Sequence, residues 1–203
     1  RFDNVICSRN QAKAAVPADR AGEFEAFVRE FDAALKNEYA GCDGGVTLTC
    51  EKTALEGALA PEATANMLRT LLAVPQGVQA MNVDFPGLVQ TSLNMGVMEM
   101  KEDGLYFGIS VRSCIATQKD MMVQRLKAIL ELGGGSFTLR GNYPGWQYDR
   151  NSALREEVLG AYKSVCGKQG TIEATHGGLE CGLFVEKLPG LDAVSFGPEL
   201  HDV

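Results

Sequence analysis

The densest group of polar side chains in this sequence is the segment 175–182, THGGLECG, which holds His176, Glu180 and Cys181. We predict that it follows a strand and begins a helix, where backbone N–H groups face an anion or an oxyanion. On a helix His176 and Glu180 would share a face, whereas Cys181 would lie about 100° further round. This spacing disfavours a direct His–Cys pair, so a cysteine hydrolase is a minor alternative beside a binding loop or a plain glycine turn.

Charge and hydropathy argue against two classes of partner. The chain has 19 basic and 26 acidic residues, a net charge of −7, and no basic cluster that would displace counterions from phosphates. Its uninterrupted apolar runs are only a few residues long, whereas a membrane-spanning helix needs about 20. No charged-then-apolar leader is visible. We therefore expect no nucleic-acid partner, no membrane association and a cytoplasmic location.

The cysteines indicate neither a zinc ribbon nor a disulfide scaffold. They stand at positions 7, 42, 50, 114, 166 and 181, without a CxxC pair. Metal-binding ribbons need paired ligands a few residues apart, and disulfide scaffolds are denser in cysteine. Cys7, Cys50 and Cys114 lie in apolar, strand-like runs, so we expect them to behave as small buried hydrophobic residues.

The histidines set a stricter limit on metal chemistry. The sequence has two, His176 and His201, which cannot build a three-histidine metal site. The chain also begins with arginine rather than methionine. Together these features lead us to expect a piece of a longer protein.

The spacing of apolar residues predicts the elements that position these groups. Helices are predicted over residues 24–35, 61–72, 119–132 and 152–165, with a further helix beginning near 176. An Asp103-Gly104 turn predicts a hairpin between strands 88–100 and 105–111. Other short apolar runs predict strands over residues 5–7, 14–16, 46–50, 136–140, 171–174 and 193–196.

The order of these elements changes near residue 141. Before it, antiparallel strands mix with helices packed on one face, which is typical of an α+β sandwich. After it, helix, strand, helix and strand alternate, and the strands read as buried parallel ones of an α/β domain. We therefore predict a domain boundary at about 141.

Several motifs carry a resemblance to a known family. The segments NYPGWQYDRNS, THGGLECGLF and PGLDAVSFGPELHDV resemble the C-terminal part of the aminoacyl-histidine (Xaa-His) dipeptidases, and VQTSLNMGVMEM and LYFGISVRSCI resemble their lid domain. Those enzymes are dinuclear zinc metallopeptidases, like the carnosinases and peptidase T. The resemblance implies a ferredoxin-like lid over residues 1–141, lacking its first strand and helix, and a C-terminal segment of an α/β catalytic domain over 142–203.

The same resemblance implies a set of substrate-binding residues. Arg112 matches an arginine that contacts the substrate carboxylate, although a salt bridge at a strand edge is the alternative. Asn94 matches a lid asparagine that donates toward the scissile carbonyl or the carboxylate, with a turn or bulge role as the alternative. His176, Gly178 and Glu180 match a loop that lines the substrate site, and Glu180 would take the free α-amino group.

The resemblance also implies what the chain lacks. Two zinc ions, with cobalt or manganese as alternatives, would be held by ligands that precede Arg1, together with the catalytic glutamate. His201 has the wrong spacing from Gly197-Pro198 to be the last family ligand. We therefore expect no metal ligand and no catalytic base here, and an isolated chain without activity.

The function implied is that of a metal-dependent dipeptidase acting on Xaa-His and related dipeptides. The expected partners are a dipeptide substrate and a second copy of the chain, bound through the lid. The alternative is a non-catalytic ferredoxin-like module for binding or dimerisation. A His-x-Asp segment and a Glu-Glu pair upstream of Arg1 would favour the dipeptidase, whereas a reading frame that begins at Arg1 would favour the non-catalytic module.

Overall fold

A computed structural model describes residues 4–197. The chain divides into two compact units, one formed by Arg9–Thr64 and the other by Arg1–Ser8 together with Ala65–Val203. Antiparallel strands and helices make up the second unit, so the predicted α+β class is confirmed. Within residues 4–197, no helix has the length and apolar character needed to cross a membrane.

The Arg9–Thr64 unit is built on one long helix. A short 3-10 helix, Ala18–Arg20, leads into helix α1, Ala21–Glu38. Apolar residues recur in α1 at helical spacing, and Val28 among them is buried, whereas Phe24, Phe27 and Phe31 are 38–58% exposed. Asp32 of α1 accepts hydrogen bonds from the backbone N–H of Leu48 and from Lys36, both at 2.7 Å. These two bonds lower the pKa of Asp32, the Leu48 bond most.

A three-stranded antiparallel sheet is the centre of the larger unit. Its strands are β1 (Gly77–Met81), β2 (Val89–Lys101) and β3 (Gly104–Ser113), in the order β1-β2-β3. Lys101 pairs with Gly104 across the predicted hairpin turn. The register shifts between Met95 and Val97, so the intervening glycine forms a bulge.

Four helices complete the described elements: α2 (Pro61–Ala73), α3 (Ala116–Leu132), α4 (Ala153–Cys166) and α5 (Glu180–Lys187). α3 packs on one face of the sheet, where Leu93 of β2 meets Met122 and Leu126 in the buried core. The residue after α2, Val74, closes that core. Helices α1 to α4 lie where apolar spacing predicts them. Helix α5 begins four residues after the predicted start near 176, so His176 precedes the helix and shares no helical face with Glu180, which corrects that expectation.

Six of the predicted strands are wrong. The runs 5–7, 14–16, 46–50, 136–140, 171–174 and 193–196 form no strand in the structure. A strand needs a neighbour to pair its N–H and C=O groups, and among the described residues none of these runs enters a sheet. Conversely, the sequence pattern does not predict β1. Its sequence GVQAM follows a predicted turn and lacks the alternation of β-branched residues that is typical of a strand.

Of the three cysteines that were expected to be buried, one is buried and two are exposed. Cys114 is buried directly after β3, as predicted. Cys7 and Cys50 are exposed, which corrects that expectation. The reason is the same as for the strands: both lie in runs that pair with no sheet, so no second layer covers them.

The residues after 141 pack into the same compact unit as the sheet. Arg150 forms a two-pronged ion pair with Asp84, with nitrogen–oxygen distances of 2.7 and 3.2 Å. Lys119 of α3 donates to the carbonyl oxygen of Tyr143 at 2.5 Å. The boundary at 141 between a lid and a catalytic segment stays a prediction.

Candidate functional site

The β2–β3 hairpin separates polar from apolar side chains by alternation. Ser92 pairs with Arg112 and Asn94 pairs with Ser110, whereas the intervening pair is Leu93 with Val111. Successive side chains of a strand point to opposite faces, and the Leu93–Val111 pair belongs to the core under α3. The four polar residues therefore lie on the face turned away from α3.

The loop before α5 meets this polar face through a histidine. The Nε2 atom of His176 lies 3.1 Å from the hydroxyl oxygen of Ser92. Burial lowers the pKa of His176, and the positive charge of Arg112 lowers it further. At neutral pH the ring is therefore uncharged, which suits a hydrogen bond with a hydroxyl beside a guanidinium.

Three glycines allow the loops of the site to stack closely. A side chain at Gly178 would collide with the carbonyl oxygen of Pro144 and with the ring of Tyr143. A Cβ atom on Gly145 would lie 2.5 Å from the carbonyl oxygen of Ser113, and one on Gly182 would lie 3.0 Å from that of Gly145. The YPGW turn is thus held between the end of β3 and the HGGLECG segment, which places that segment beside the hairpin.

The DRNS end of the NYPGWQYDRNS segment and the PGLDAV segment have a clear structural role. Ser152 is buried at the N-cap of α4, where its hydroxyl accepts a bond from the Arg155 N–H and donates to Asp192 at 2.7 Å. Asp192 also accepts from the Leu154 N–H at 2.9 Å. These bonds lower the pKa of Asp192, the Ser152 bond most. The two motifs therefore fasten the segment after α5 to the start of α4.

A cavity of about 470 Å³ runs along the edge strand β3. Its walls are residues 109–113 of β3, two residues of α3, the segment 139–145, Asn4, and the glycines 177 and 178. The volume falls within the range of small-molecule sites. It is the space where the hairpin, the YPGW turn and the glycine loop meet.

Three basic residues line this cavity: Arg112, Lys119 and Arg140. The lining includes no aspartate and no glutamate. Within residues 4–197, neither arginine forms an ion pair with a carboxylate. In a chain of net charge −7, the cavity is a local concentration of positive charge suited to an anionic group.

The five predicted substrate-binding residues occupy three kinds of position. Arg112 and Gly178 line the cavity. His176 is joined to the Arg112 strand pair through Ser92. Asn94 lies on the polar face, and its side-chain amide donates to the Val5 carbonyl oxygen at 3.0 Å. Glu180 is exposed at the first residue of α5, outside the cavity lining.

Sequence reasoning missed three members of this arrangement. Ser92 was passed over as an ordinary strand residue, although its spacing of two from Asn94 places both on one face. Lys119 was assigned only to a helix and Arg140 only to a strand. Their meeting beside Arg112 depends on tertiary packing, which local sequence does not reveal.

The described residues offer no cluster that fits a metal ion. Between residues 4 and 197, no group of three or more histidine, cysteine, aspartate or glutamate side chains converges. His201 lies outside the described residues. The cysteine alternative gains no support either, because the His176 ring nitrogen meets Ser92.

Comparison with known proteins bears out the resemblance to dipeptidases. The chain is 34% identical over 198 residues to the cytosol non-specific dipeptidase of Escherichia coli (strain K12). That match covers 97% of this chain and 41% of the relative. No model of a protein family matches the sequence.

A solved structure supports the same likeness. The crystal structure of aminoacylhistidine dipeptidase from Vibrio alginolyticus matches this chain with a TM-score of 0.83 at 30% identity. The match covers 90% of this chain and 38% of that protein. The chain thus spans about two fifths of the length of either relative.

Proposed function

We propose that this chain is part of a metal-dependent dipeptidase that hydrolyses Xaa-His and related dipeptides. Its contribution is to bind and orient the substrate. The observation that carries the proposal is the cavity on β3, where Arg112 stands without a carboxylate partner among the described residues. The likeness to two dipeptidases along nearly the whole chain supports it.

Arg112 takes the C-terminal carboxylate of the dipeptide in this proposal. A guanidinium presents two parallel N–H groups to the two oxygens of a carboxylate, which fixes orientation as well as charge. Arg112 is exposed on β3 and lines the cavity. A dipeptide could therefore reach it without first displacing an internal salt bridge.

The loop 175–182 forms the other wall of the proposed site. Gly178 brings the backbone close to the YPGW turn, and His176 fixes the loop against Ser92. Glu180 lies exposed at the start of α5, where its carboxylate can meet the free α-amino group of a dipeptide. This would restrict the enzyme to substrates with an unblocked N-terminus.

Asn94 has a more conditional role. Its amide nitrogen carries two N–H groups, and it donates to the Val5 carbonyl. A donor in that position would stabilise negative charge on the scissile carbonyl oxygen. We assign Asn94 to substrate contact, with the Val5 bond present when no substrate is bound.

Metal ions belong to the proposal, and we place their ligands outside the described residues 4–197. Two zinc ions, with cobalt or manganese as alternatives, would supply Lewis acidity and activate a water molecule. The described residues do not fit such ions. As the resemblance implies, we place their ligands in the part of the protein that the relatives have beyond the matched length.

Location and assembly complete the proposal. The name of the Escherichia coli relative calls it cytosolic, and a cytoplasmic location is proposed for this protein on that likeness. A homodimer through residues 1–141 stays a prediction.

The test is hydrolysis by the full-length protein. It should release histidine from L-alanyl-L-histidine, lose that activity with 1,10-phenanthroline, and leave N-acetyl-alanyl-histidine largely uncleaved. Cleavage of both dipeptides at equal rates would remove the role given to Glu180. Binding of L-alanyl-L-histidine without any hydrolysis would support a non-catalytic module instead.

A further inference from the structure

The cavity holds more positive charge than one substrate carboxylate needs. Arg112 and Arg140 both line it, and Lys119 adds a third cation, although its ammonium already donates to the Tyr143 carbonyl. Like charges gathered in one space repel, so the arrangement gains stability when an anion enters. Arg112 alone accounts for the α-carboxylate in the proposed function. Arg140 is left without an assigned partner.

The covalent structure of a dipeptide limits what Arg140 can meet. The α-carboxylate that Arg112 binds belongs to the C-terminal residue, and that residue's own side chain starts at the same Cα atom. This side chain and the peptide N–H are therefore the groups closest to the bound carboxylate, and the side chain is the one that varies between dipeptides. A carboxyl group on it would fall within the same cavity, since aspartate and glutamate place theirs only two or three bonds from the Cα atom.

We propose that Arg140 is a specificity-determining residue that recognises an acidic side chain on the C-terminal residue of the dipeptide. Xaa-Glu and Xaa-Asp would then be substrates of this protein beside Xaa-His. The proposal rests on the proposed dipeptidase function and on the role of Arg112 within it. The observation that supports it is that both arginines line one cavity, and that the lining of this cavity includes no aspartate and no glutamate.

The segment that follows Arg140 in the cavity wall is fastened to its neighbours. Gly141 follows it with a φ of 59°, a conformation that favours glycine, and so turns the chain between Arg140 and the YPGW segment. Gly145 then presses that segment against the end of β3. The Lys119 bond to Tyr143 fastens the same segment from α3. The wall that carries Arg140 is thus held at two points, the Gly145 contact and the Lys119 bond.

The experiment compares isosteric substrates in the full-length protein. L-alanyl-L-glutamate and L-alanyl-L-glutamine differ in charge and hardly in shape. Arg140→Met should lower kcat/KM for the glutamate dipeptide relative to the glutamine dipeptide about three- to tenfold, the range for a charged contact open to solvent. The matched control is Arg125→Met, an exposed arginine of α3 outside the cavity lining, which should leave the ratio unchanged.

A binding measurement separates failure of this proposal from failure of the proposed function. Calorimetry measures the affinity of the protein for L-glutamate, which carries an α-carboxylate and a side-chain carboxylate, and compares it with the affinity for L-glutamine. If both dipeptides are cleaved and the ratio is the same in Arg140→Met, the specificity proposal is overturned and the dipeptidase function stands. L-alanyl-L-histidine is assayed beside them as the test of the proposed function. If it is cleaved and the glutamate dipeptide is not, the specificity proposal is overturned and the dipeptidase function stands. If no dipeptide is cleaved but Arg140→Met, and not Arg125→Met, weakens L-glutamate binding three- to tenfold, the anion site at Arg140 stands and the function fails. If no dipeptide is cleaved and L-glutamate binding is absent or insensitive to Arg140→Met, both are overturned.

Discussion

The two faces of the β2–β3 hairpin have opposite tasks. On one face Leu93 is buried against Met122 and Leu126 of α3. On the other, Ser92, Asn94 and Arg112 stay partly or fully exposed, and Ser92 and Asn94 contact His176 and Val5. The same two strands thus contribute to the hydrophobic core and to the candidate site, because successive side chains of a strand point to opposite faces of the sheet. Stability should depend on the first face and substrate binding on the second.

The largest effect should come from breaking the core face. Met122 is 2% exposed, so Met122→Ala should lower the free energy of unfolding by about 2–5 kcal/mol, the usual range for a buried truncation. Urea denaturation of the full-length protein measures it. Met121→Ala is the control on the same helix, where a side chain that is 51% exposed should change stability by no more than about 0.5 kcal/mol. Equal losses in the two variants would contradict the assignment of the core.

A smaller effect should follow from separating the loops that complete the polar face. Gly178→Ala places a methyl group against the Pro144 carbonyl and the Tyr143 ring, and overpacking of this kind costs about 1–3 kcal/mol. Activity should fall with it, because the glycine loop moves away from Ser92. Thermal unfolding and kcat/KM on one preparation check both.

Gly160→Ala is the matched control for that substitution. Gly160 lies in α4, and a Cβ atom there meets nothing within 4 Å. Alanine in a helix interior is favoured over glycine by about 0.5–1 kcal/mol, so this variant should be unchanged or slightly more stable. A Gly178→Ala protein as stable and active as Gly160→Ala would show that the close contact is not needed.

The smallest effect concerns the charge on His176. Its pKa lies below the usual value of 6.5, through burial first and Arg112 second. Arg112→Met should therefore raise the pKa, while burial keeps it under 6.5. NMR titration of the imidazole resonance measures the change, with His176→Gln to assign the signal. A pKa that stays the same or falls would contradict the proximity of the two charges.

The lowered pKa of His176 also makes the free energy of unfolding depend on pH in a defined direction. The unfolded chain binds a proton at His176 near pH 6.5, whereas the folded chain binds it only at lower pH. This histidine's contribution is therefore complete above pH 6.5 and is lost as the pH falls below it. In Arg112→Met the folded and unfolded values approach one another, so that dependence should weaken.

Local sequence predicted the helices and the hairpin well, most of the other strands wrongly, and the site only in part. The helices and the Asp103-Gly104 hairpin follow from spacing and turn chemistry within a few residues. Strands such as 46–50 failed, because strand formation depends on a partner elsewhere in the chain. The contact between Ser92 and His176, 84 positions apart, could not be read from either segment alone. Arg112 was predicted from a resemblance, whereas Arg140 required the folded cavity.

The most direct test of the account is the dependence of binding on Arg112. In the full-length protein, KM for L-alanyl-L-histidine and the inhibition constant of its C-terminal amide are measured for Arg112→Met, with Arg125→Met as control. Loss of a charged, two-pronged contact should raise KM about 10- to 100-fold and leave the inhibition constant of the amide nearly unchanged. A variant that binds the free dipeptide as well as before, or loses both ligands equally, would contradict the claim that Arg112 holds the substrate carboxylate.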